Sequence, residues 1–275
     1  MTEPDRHAAD PVPGHRDALV AEHRGGGPPL VLAHGFTQTG RVWGGLDDDL
    51  ARDHHLITVD LPGHGGSSAV MADLPGGAEL IAVAGGSADY AGYSMGARFC
   101  LHLALSRPDL VRRLVLVSGT AGIDDPGERA ERRQSDEALA DRLDPRGGGT
   151  PADTVEEFVL RWVADPMFGA VPEATNGLVE RMRNTASGLA SSLRLAGTGT
   201  QEPLWDRLGR LDMPVLVVTG ARDAKFTALG RRLVRSIGPG ATHVVVAGAG
   251  HAPHLQHPGE VAAAVRRFLD GSEVT

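Results

Sequence analysis

Ser94 lies in the pentapeptide Gly92-Tyr93-Ser94-Met95-Gly96, which matches the G-x-S-x-G pattern of a serine nucleophile. Small residues on both sides let the chain turn sharply from a strand into a helix, so that the hydroxyl stands exposed at the end of the strand. The N–H groups and the positive dipole end of that helix would face negative charge that develops there. Because the chain contains 37 glycines, the pattern needs support from its surroundings.

A serine hydroxyl becomes reactive when an imidazole accepts its proton and a carboxylate orients the imidazole. Asp223 lies four residues after the apolar run 215–219, and His251 lies five residues after the run 244–246. This order and this placement after core strands predict that Ser94, Asp223 and His251 meet at one edge of a sheet. The alternatives are a surface turn for Asp223 and a helix cap for His251.

Two backbone N–H groups are predicted to form an oxyanion hole. One is the N–H of Met95, the residue after the serine. The other lies in the loop His34-Gly35-Phe36-Thr37, and Phe36 is the best candidate. Donors that are fixed before the reaction contribute about 3–4 kcal/mol each in such sites.

The elements that must position these groups can be inferred from hydrophobic patterning. Short apolar runs without alternation predict strands that are covered on both faces, as in a parallel sheet, at residues 30–33, 56–59, 114–117, 214–218 and 242–246. Helical spacing occurs between such runs, for example at 97–105 and 260–269. The alternation predicts an α/β fold with a mostly parallel sheet flanked by helices.

The alternation stops between residues 121 and 203, a charged, strand-poor stretch that is too long for a loop inside a compact domain. We predict that residues 121–203 form a helical cap inserted into a core made of residues 18–120 and 204–275. Residues 1–17, which are polar and contain several prolines, are predicted to be a flexible arm.

Composition excludes several classes of function. The formal net charge of −8 disfavours nucleic acids and anionic membranes as partners. Cys100 is the single cysteine, so an intrachain disulfide and a cysteine-based zinc site are impossible. His251, His254 and His257 recur every third position, but prolines nearby and the lack of a carboxylate pattern disfavour a metal site. We predict that the protein uses neither a metal ion nor a cofactor.

The sequence says less about cellular location and oligomeric state. The N-terminal residues have no apolar core of a signal peptide, and no run of about 18 apolar residues occurs. The expected location is therefore the cytoplasm. The sequence leaves open whether the protein is a monomer or a dimer.

Several motifs between His34 and about Leu269 together resemble the family of 2-succinyl-6-hydroxy-2,4-cyclohexadiene-1-carboxylate synthases, which have the α/β-hydrolase fold with an inserted helical cap. These motifs are residues 59–67, 92–98, 128–132, Trp162 with 166–168, Arg183 with 188–189, 201–205 and 220–226. The motifs at the strands and at the sharp turn that carries Ser94, which we call the elbow, recur throughout the superfamily. The cap motifs around Arg132, Trp162 and Arg183 are more specific.

The resemblance implies a lyase of menaquinone biosynthesis that eliminates pyruvate from 2-succinyl-5-enolpyruvyl-6-hydroxy-3-cyclohexene-1-carboxylate. Ser94 and His251 would act as a general base, without an acyl-enzyme. Arginines would bind the carboxylates of this small anionic substrate, a tryptophan would wall the pocket and a tyrosine would flank the nucleophile. The implied substrate-binding residues are Tyr93, Arg98, Arg132, Trp162 and Arg183.

Residue spacing supports one of these assignments independently. Arg98 lies four residues after Ser94, hence one helical turn along the same face. An arginine there suits an anionic substrate better than an apolar ester, although a solvated helix arginine is the alternative. Arg132 and Arg183 lie in charged stretches that a solvated helix face would explain equally well. Lys225, the only lysine, is predicted to have a structural role.

Two other functions share the same residues. A serine hydrolase that cleaves an ester, a lactone or a C–C bond through an acyl-enzyme would use the same triad. A non-catalytic ligand receptor of this fold is disfavoured because Ser94, Asp223 and His251 are all present.

Between Ser67 and Ala88 the chain is rich in Gly and Ala, and the helix that the family has before the elbow could not be placed there.

Overall fold

The computed structural model describes residues 18–272, so the predicted arm at residues 1–17 lies outside the described part of the chain. Seven strands form a sheet in the order β1-β3-β2-β4-β5-β6-β7. The strands are β1 (Ala21–Arg24), β2 (Pro29–Ala33), β3 (His55–Val59), β4 (Ala88–Tyr93), β5 (Val111–Val117), β6 (Val215–Gly220) and β7 (Ala241–Val246). Within residues 18–272, only β1 pairs antiparallel, with β3. The predicted α/β fold with a mostly parallel sheet is confirmed.

Ten α-helices occur in the described residues: α1 (Leu46–Leu50), α2 (Leu74–Gly85), α3 (Met95–Ser106), α4 (Pro126–Leu143), α5 (Val155–Val163), α6 (Leu178–Arg181), α7 (Ala186–Ala196), α8 (Ala224–Ile237), α9 (Pro253–Gln256) and α10 (Pro258–Leu269). Two large apolar clusters cover the two faces of the sheet, so the central strands are buried on both sides. None of these helices is long and apolar enough to cross a membrane.

Strand β4, which carries the serine, is buried throughout although it contains Asp89. Two arginines of β5 compensate this carboxylate: Arg112 lies 3.2 Å and Arg113 lies 3.8 Å from its oxygens. Burial raises the pKa of Asp89, and both arginines oppose that rise. An acidic residue can therefore occupy a central strand here.

Helix α2 occupies the region that the sequence pattern left unassigned. Asp73 caps it by accepting a hydrogen bond from the N–H of Gly76 at 2.8 Å. Glycine weakens a helix, which hid this element from sequence reasoning. One of its glycines is required by packing, because a Cβ atom on Gly77 would lie 2.2 Å from the ring of Phe99 in α3.

Helices α4 to α7 lie between β5 and β6, within residues 121–203. A capping box starts α5, in which Thr154 and Glu157 each accept a hydrogen bond from the other's backbone N–H. This insertion has a small apolar core of its own, made of Ala140, Leu143, Phe158, Leu189, Ala190 and Leu193. The division of the chain into a core and a cap stays a prediction, and we call residues 121–203 the helical insertion.

Candidate active site

Ser94 sits on a sharp turn between β4 and α3, with φ 50° and ψ −102°. Such a conformation is strained for a residue other than glycine. The flanking glycines make the turn possible, because a Cβ atom on Gly92 would lie 2.4 Å from the carbonyl oxygen of Gly96. A Cβ atom on Gly96 would lie 1.9 Å from the carbonyl oxygen of Ala33. The two glycines of the motif are thus needed for close backbone packing.

The structure brings the side chains of Ser94, His251 and Asp223 together. The Nε2 atom of His251 lies 3.1 Å from Oγ of Ser94, and Nδ1 lies 2.8 Å from Oδ2 of Asp223. Because a carboxylate only accepts hydrogen bonds, Nδ1 carries the proton and Nε2 is free to accept one from the serine. This is the arrangement of a general base that activates a hydroxyl.

Aromatic side chains surround His251, which is 1% exposed. Its ring centroid lies 4.2 Å from that of Phe226 and 5.8 Å from that of Phe168. The helical insertion also holds its backbone, since the N–H of His251 donates to the carbonyl of Met167 at 3.1 Å. The imidazole is therefore fixed from both sides and kept from bulk water.

Phe36 and Met95, the predicted oxyanion residues, both line the cavity that contains Ser94. Met95 is the first residue of α3, so its N–H has no partner inside the helix. Among the hydrogen bonds of residues 18–272, none outside regular helices and strands uses the N–H of Phe36 or Met95. Both donors remain available to a ligand.

The cavity has a volume of about 690 Å³ and lies between the sheet edge and the helical insertion. This volume suits a small molecule. Residues of the core and of the insertion contribute to its walls, among them Phe36, Ser94, Arg98, Asp125, Glu128, Arg132, Trp162, Ser192, Lys225, Phe226, Arg232 and His251.

Arg98 lines this cavity although it is only 6% exposed. Its Nη1 atom has no hydrogen-bond partner among the described residues. Burial lowers the pKa of Arg98 to about 10, and the nearby charge of Arg132 contributes, while Asp136 opposes the shift. The guanidinium is still charged at neutral pH. A buried cation without a hydrogen-bonded partner is costly, which makes Arg98 a strong candidate for binding an anion.

Arg132 also lines the cavity, and its Nε atom donates to Oδ1 of Asp136 at 2.8 Å. The other oxygen of Asp136 accepts from the N–H of Gly199 at 3.1 Å. One side of the Arg132 guanidinium is thus fixed, which leaves its terminal nitrogens to reach a ligand. Trp162, predicted as a pocket wall, lines the same cavity.

Arg183, the third predicted arginine, lies outside the residues that line the cavity. Its side chain is 53% exposed and lies 3.7 Å from Glu180 on the insertion surface. Arg181, two residues earlier, is instead the buried arginine of this segment and is 5% exposed. Spacing alone could not separate the two, since α6 is only four residues long.

Tyr93 also differs from the expected substrate contact. It is 3% exposed and does not line the cavity; its ring packs 5.6 Å from that of His251 and 4.1 Å from that of His254. Burial raises the pKa of the Tyr93 hydroxyl, so the group is neutral. Tyr93 therefore packs against the imidazole of His251 and not on the cavity wall.

Two cations of α8 were missed as site residues. Lys225, predicted to be structural, lines the cavity. Arg232 lines it too, where it pairs with Asp124 and covers the ring of Trp205 at 3.7 Å. Lys225 follows Asp223 by two residues, so its position beside the predicted acid was the available signal.

Within residues 18–272, no group of three or more His, Cys, Asp or Glu side chains is arranged to hold a metal ion. Cys100 is fully buried, and burial raises the pKa of its thiol to about 12. The thiol is therefore unreactive.

Comparisons with known proteins agree with this architecture. The profile of the alpha/beta hydrolase family matches residues 30–264. A Bacillus subtilis protein provisionally named 2-succinyl-6-hydroxy-2,4-cyclohexadiene-1-carboxylate synthase is 32% identical, over 93% of this chain and 95% of its own length. A pimeloyl-[acyl-carrier protein] methyl ester esterase of Stenotrophomonas maltophilia is 34% identical, over 89% and 94%.

Among solved structures, MenH from S. aureus superposes with a TM-score of 0.78 at 28% identity, over 89% of this chain and 94% of that chain. The resemblance predicted from the sequence is confirmed. The chain belongs to the alpha/beta hydrolase family and is related within it to 2-succinyl-6-hydroxy-2,4-cyclohexadiene-1-carboxylate synthases.

Proposed function

We propose that this enzyme is a carbon–oxygen lyase that eliminates pyruvate from 2-succinyl-5-enolpyruvyl-6-hydroxy-3-cyclohexene-1-carboxylate in menaquinone biosynthesis. The observation that carries the proposal is Arg98, a buried arginine of the elbow helix that lines the cavity with a nitrogen that has no partner among the described residues. A neutral ester offers such a cation no charged partner. A substrate with several carboxylates offers it a bidentate partner.

The geometry of Ser94, His251 and Asp223 supports the following reaction. Nε2 of His251 accepts the proton of Ser94 while Oγ removes the ring hydrogen beside the succinyl ketone, at C2. The electron pair left on C2 forms the C2–C3 double bond, shifts the ring double bond to C4–C5, and breaks the bond from C5 to the enolpyruvyl oxygen. The leaving enolate takes up a proton and becomes pyruvate. The elimination is redox-neutral and consumes no cofactor.

The predicted oxyanion hole has a clear role in this reaction. Removing the proton beside the ketone places negative charge on the carbonyl oxygen. The N–H groups of Phe36 and Met95 would donate to that oxygen as its charge develops, and donors of this kind contribute most in a site that excludes water. Arg98 and Arg132 would hold carboxylates, and Lys225 is a further cation on the cavity wall.

The proposal is tested by supplying the purified protein with the enolpyruvyl substrate and following pyruvate through a coupled dehydrogenase. We expect saturable pyruvate release that the Ser94→Ala variant abolishes. Ser94→Ala is also expected to keep its fold by circular dichroism. Absence of pyruvate release from folded wild-type protein at saturating substrate would contradict the proposal.

A second candidate is an ester hydrolase acting through an acyl-enzyme, which the similarity to the Stenotrophomonas esterase favours. In that reaction Oγ of Ser94 forms a bond to the acyl carbon, the alcohol leaves with a proton from His251, and water then releases the acid. Mass spectrometry after rapid quenching distinguishes the two candidates. An acyl adduct on Ser94 together with fast ester turnover and no pyruvate would favour the hydrolase.

A further inference from the structure

Thr37 follows Phe36 in the loop after β2 and has a backbone φ of 66°. This left-handed conformation is a genuine outlier for a β-branched residue. Strain of this kind persists only where the surroundings fix the residue, and it is concentrated at functional sites. The neighbour of Thr37 in the chain is the residue whose N–H is the second predicted oxyanion donor.

Three contacts from distant parts of the chain hold Thr37. Its N–H donates to Nε2 of His64 at 3.3 Å. Its carbonyl accepts from Nδ2 of Asn184 at 2.7 Å, and its hydroxyl accepts from Nη1 of Arg181. Every polar atom of Thr37 therefore has a partner, and two of the three partners come from the helical insertion.

Arg181 is buried, and no carboxylate among residues 18–272 compensates its charge. Besides Thr37 it contacts the carbonyl of Asn176, which accepts from Nε at 2.8 Å. Burial is the main influence on its pKa, which falls to about 10, and no carboxylate among the described residues offsets that fall. Burying a guanidinium on neutral acceptors alone is unfavourable for stability, so a buried arginine at this position calls for a role beyond packing.

Asn184 completes the attachment. Its Oδ1 atom accepts from the N–H of Gly65 at 2.9 Å, in the loop after β3, while its amide nitrogen binds Thr37. Arg181 and Asn184 thus connect the helical insertion to two loops at the edge of the sheet. We call these two residues the clamp.

We propose that the clamp is a positioning device, in which Arg181 and Asn184 hold Thr37 in its left-handed conformation and thereby aim the N–H of Phe36 at the oxyanion. Neither clamp residue lines the cavity, so both act through the loop and not on the substrate. The inference rests on the proposed function only in that Ser94 is the reacting group. It holds for an elimination and for an ester hydrolysis alike.

The test uses a fluorophosphonate probe, which needs no knowledge of the substrate. Oγ of Ser94 attacks phosphorus, the P–F bond breaks, fluoride leaves with the electron pair, and the hydroxyl proton passes to His251. The phosphoryl oxygen binds in the oxyanion hole, so the second-order rate constant of labelling depends on how well the two N–H donors point at that oxygen. The rate is measured by intact-protein mass spectrometry, at a temperature where circular dichroism shows each variant folded.

The main variant is Arg181→Met, which is similar in length and uncharged. Its matched control is Arg183→Met, on the exposed surface two residues away. We expect at least about tenfold slower labelling for Arg181→Met, since complete loss of one oxyanion donor costs about 10²–10³-fold. Arg183→Met should label within about twofold of wild type. In the pyruvate assay, kcat should fall for Arg181→Met while KM stays unchanged, because the cavity walls are untouched.

Thr37→Val provides a second, independent variant, because it removes the hydroxyl acceptor and keeps the side-chain shape. It should slow labelling as Arg181→Met does. The double variant, Arg181→Met with Thr37→Val, should label at no less than about half the rate of the slower single variant, because both substitutions break the same hydrogen bond. Labelling of folded Arg181→Met within about twofold of wild type would overturn the proposal. If Arg181→Met does not fold, a wild-type labelling rate for Thr37→Val overturns it instead. Failure of pyruvate release with slow labelling of both variants would refute the lyase and leave the clamp in place.

Discussion

Asp223 binds two partners at once: Oδ2 lies 2.8 Å from Nδ1 of His251, and Oδ1 accepts from the backbone N–H of Phe226 at 3.0 Å. The carboxylate that orients the imidazole therefore also caps α8. The second contact fixes the carboxylate and leaves it little freedom to rotate away from His251. Asp223, the predicted acid of the triad, is thus held in place by the start of its own helix.

Replacing Asp223 by Asn should separate these two roles. Asn also caps helices, so the fold is expected to survive. Its amide can donate to Nδ1, which would move the imidazole proton to Nε2 and prevent that atom from accepting the serine proton. We expect kcat for pyruvate release to fall by about 10³–10⁴-fold. The matched control is Asp73→Asn at the cap of α2, which should keep wild-type kcat; equal kcat for both variants would contradict the assigned role.

Arg98 and Arg183 provide a paired test of substrate charge. Arg98→Met should lower kcat/KM for pyruvate release by about 10- to 100-fold, corresponding to the roughly 1.5–3 kcal/mol of a charged hydrogen bond. Arg183→Met should stay within about twofold of wild type, since that side chain lies outside the cavity wall. Steady-state kinetics on the two variants are sufficient. Equal losses would show that the exposed arginine reaches the substrate after all.

These predictions show which parts of the site could be inferred from the sequence. The elbow could be predicted because its constraints are local: Gly92 and Gly96 are fixed by contacts within a few residues of Ser94 or on the adjacent strand. Asp223 and His251 could be placed because they lie three and five residues, respectively, after the ends of strands of the parallel sheet. Parallel strands bring such residues to one edge whatever the intervening chain does.

The helical insertion was harder to interpret because its contacts are long-range. Arg181 and Arg183 have equivalent neighbours in the sequence, and only the packing of the insertion on the loop at Thr37 buries one of them. Lys225 was given a structural role although it lines the cavity. Helix α2 was missed because Gly77 is present for a close approach to Phe99, which no local pattern reveals.

Because several histidines are buried in the neutral form, we expect the folded protein to lose stability in mild acid. Burial lowers the pKa of His34, His64 and His254 to about 3 each. His34 is neutral by geometry as well, because Nδ1 lies 2.8 Å from the carbonyl of Gly35 while Nε2 accepts from the N–H of Leu61. A histidine in the unfolded chain has a pKa of about 6.5, so below that pH it binds a proton that the same histidine in the folded chain does not bind.

The sign of the effect follows from linkage. Stability is fully present above pH 6.5 and is lost as the pH falls from 6.5 towards 3, by up to about 2 kcal/mol per histidine at pH 5. His254→Phe removes one of these groups and loses only one long side-chain contact, 3.5 Å between Nε2 of His254 and Nε2 of Gln38, since Nδ1 of His254 has no partner among the described residues. Urea unfolding between pH 7.5 and 5 should show a shallower pH dependence for the variant, by about one proton. If the free energy of unfolding of His254→Phe depended on pH as steeply as that of wild type, His254 would not be buried in the neutral form.

The glycines of the chain allow a test of the elbow without reference to any substrate. A Cβ atom on Gly96 would lie 1.9 Å from the carbonyl oxygen of Ala33, a contact that only movement of α3 against β2 could relieve. We expect Gly96→Ala to lower the free energy of unfolding by about 3 kcal/mol or more, or to prevent folding. Gly259→Ala is the matched control, because a Cβ atom there meets nothing within 4 Å and the residue lies in α10. That variant should be unchanged or more stable by about 0.4–1 kcal/mol. Urea unfolding of the three proteins measures both effects, and a Gly96→Ala protein as stable as wild type would mean that the elbow helix does not pack against β2 as described.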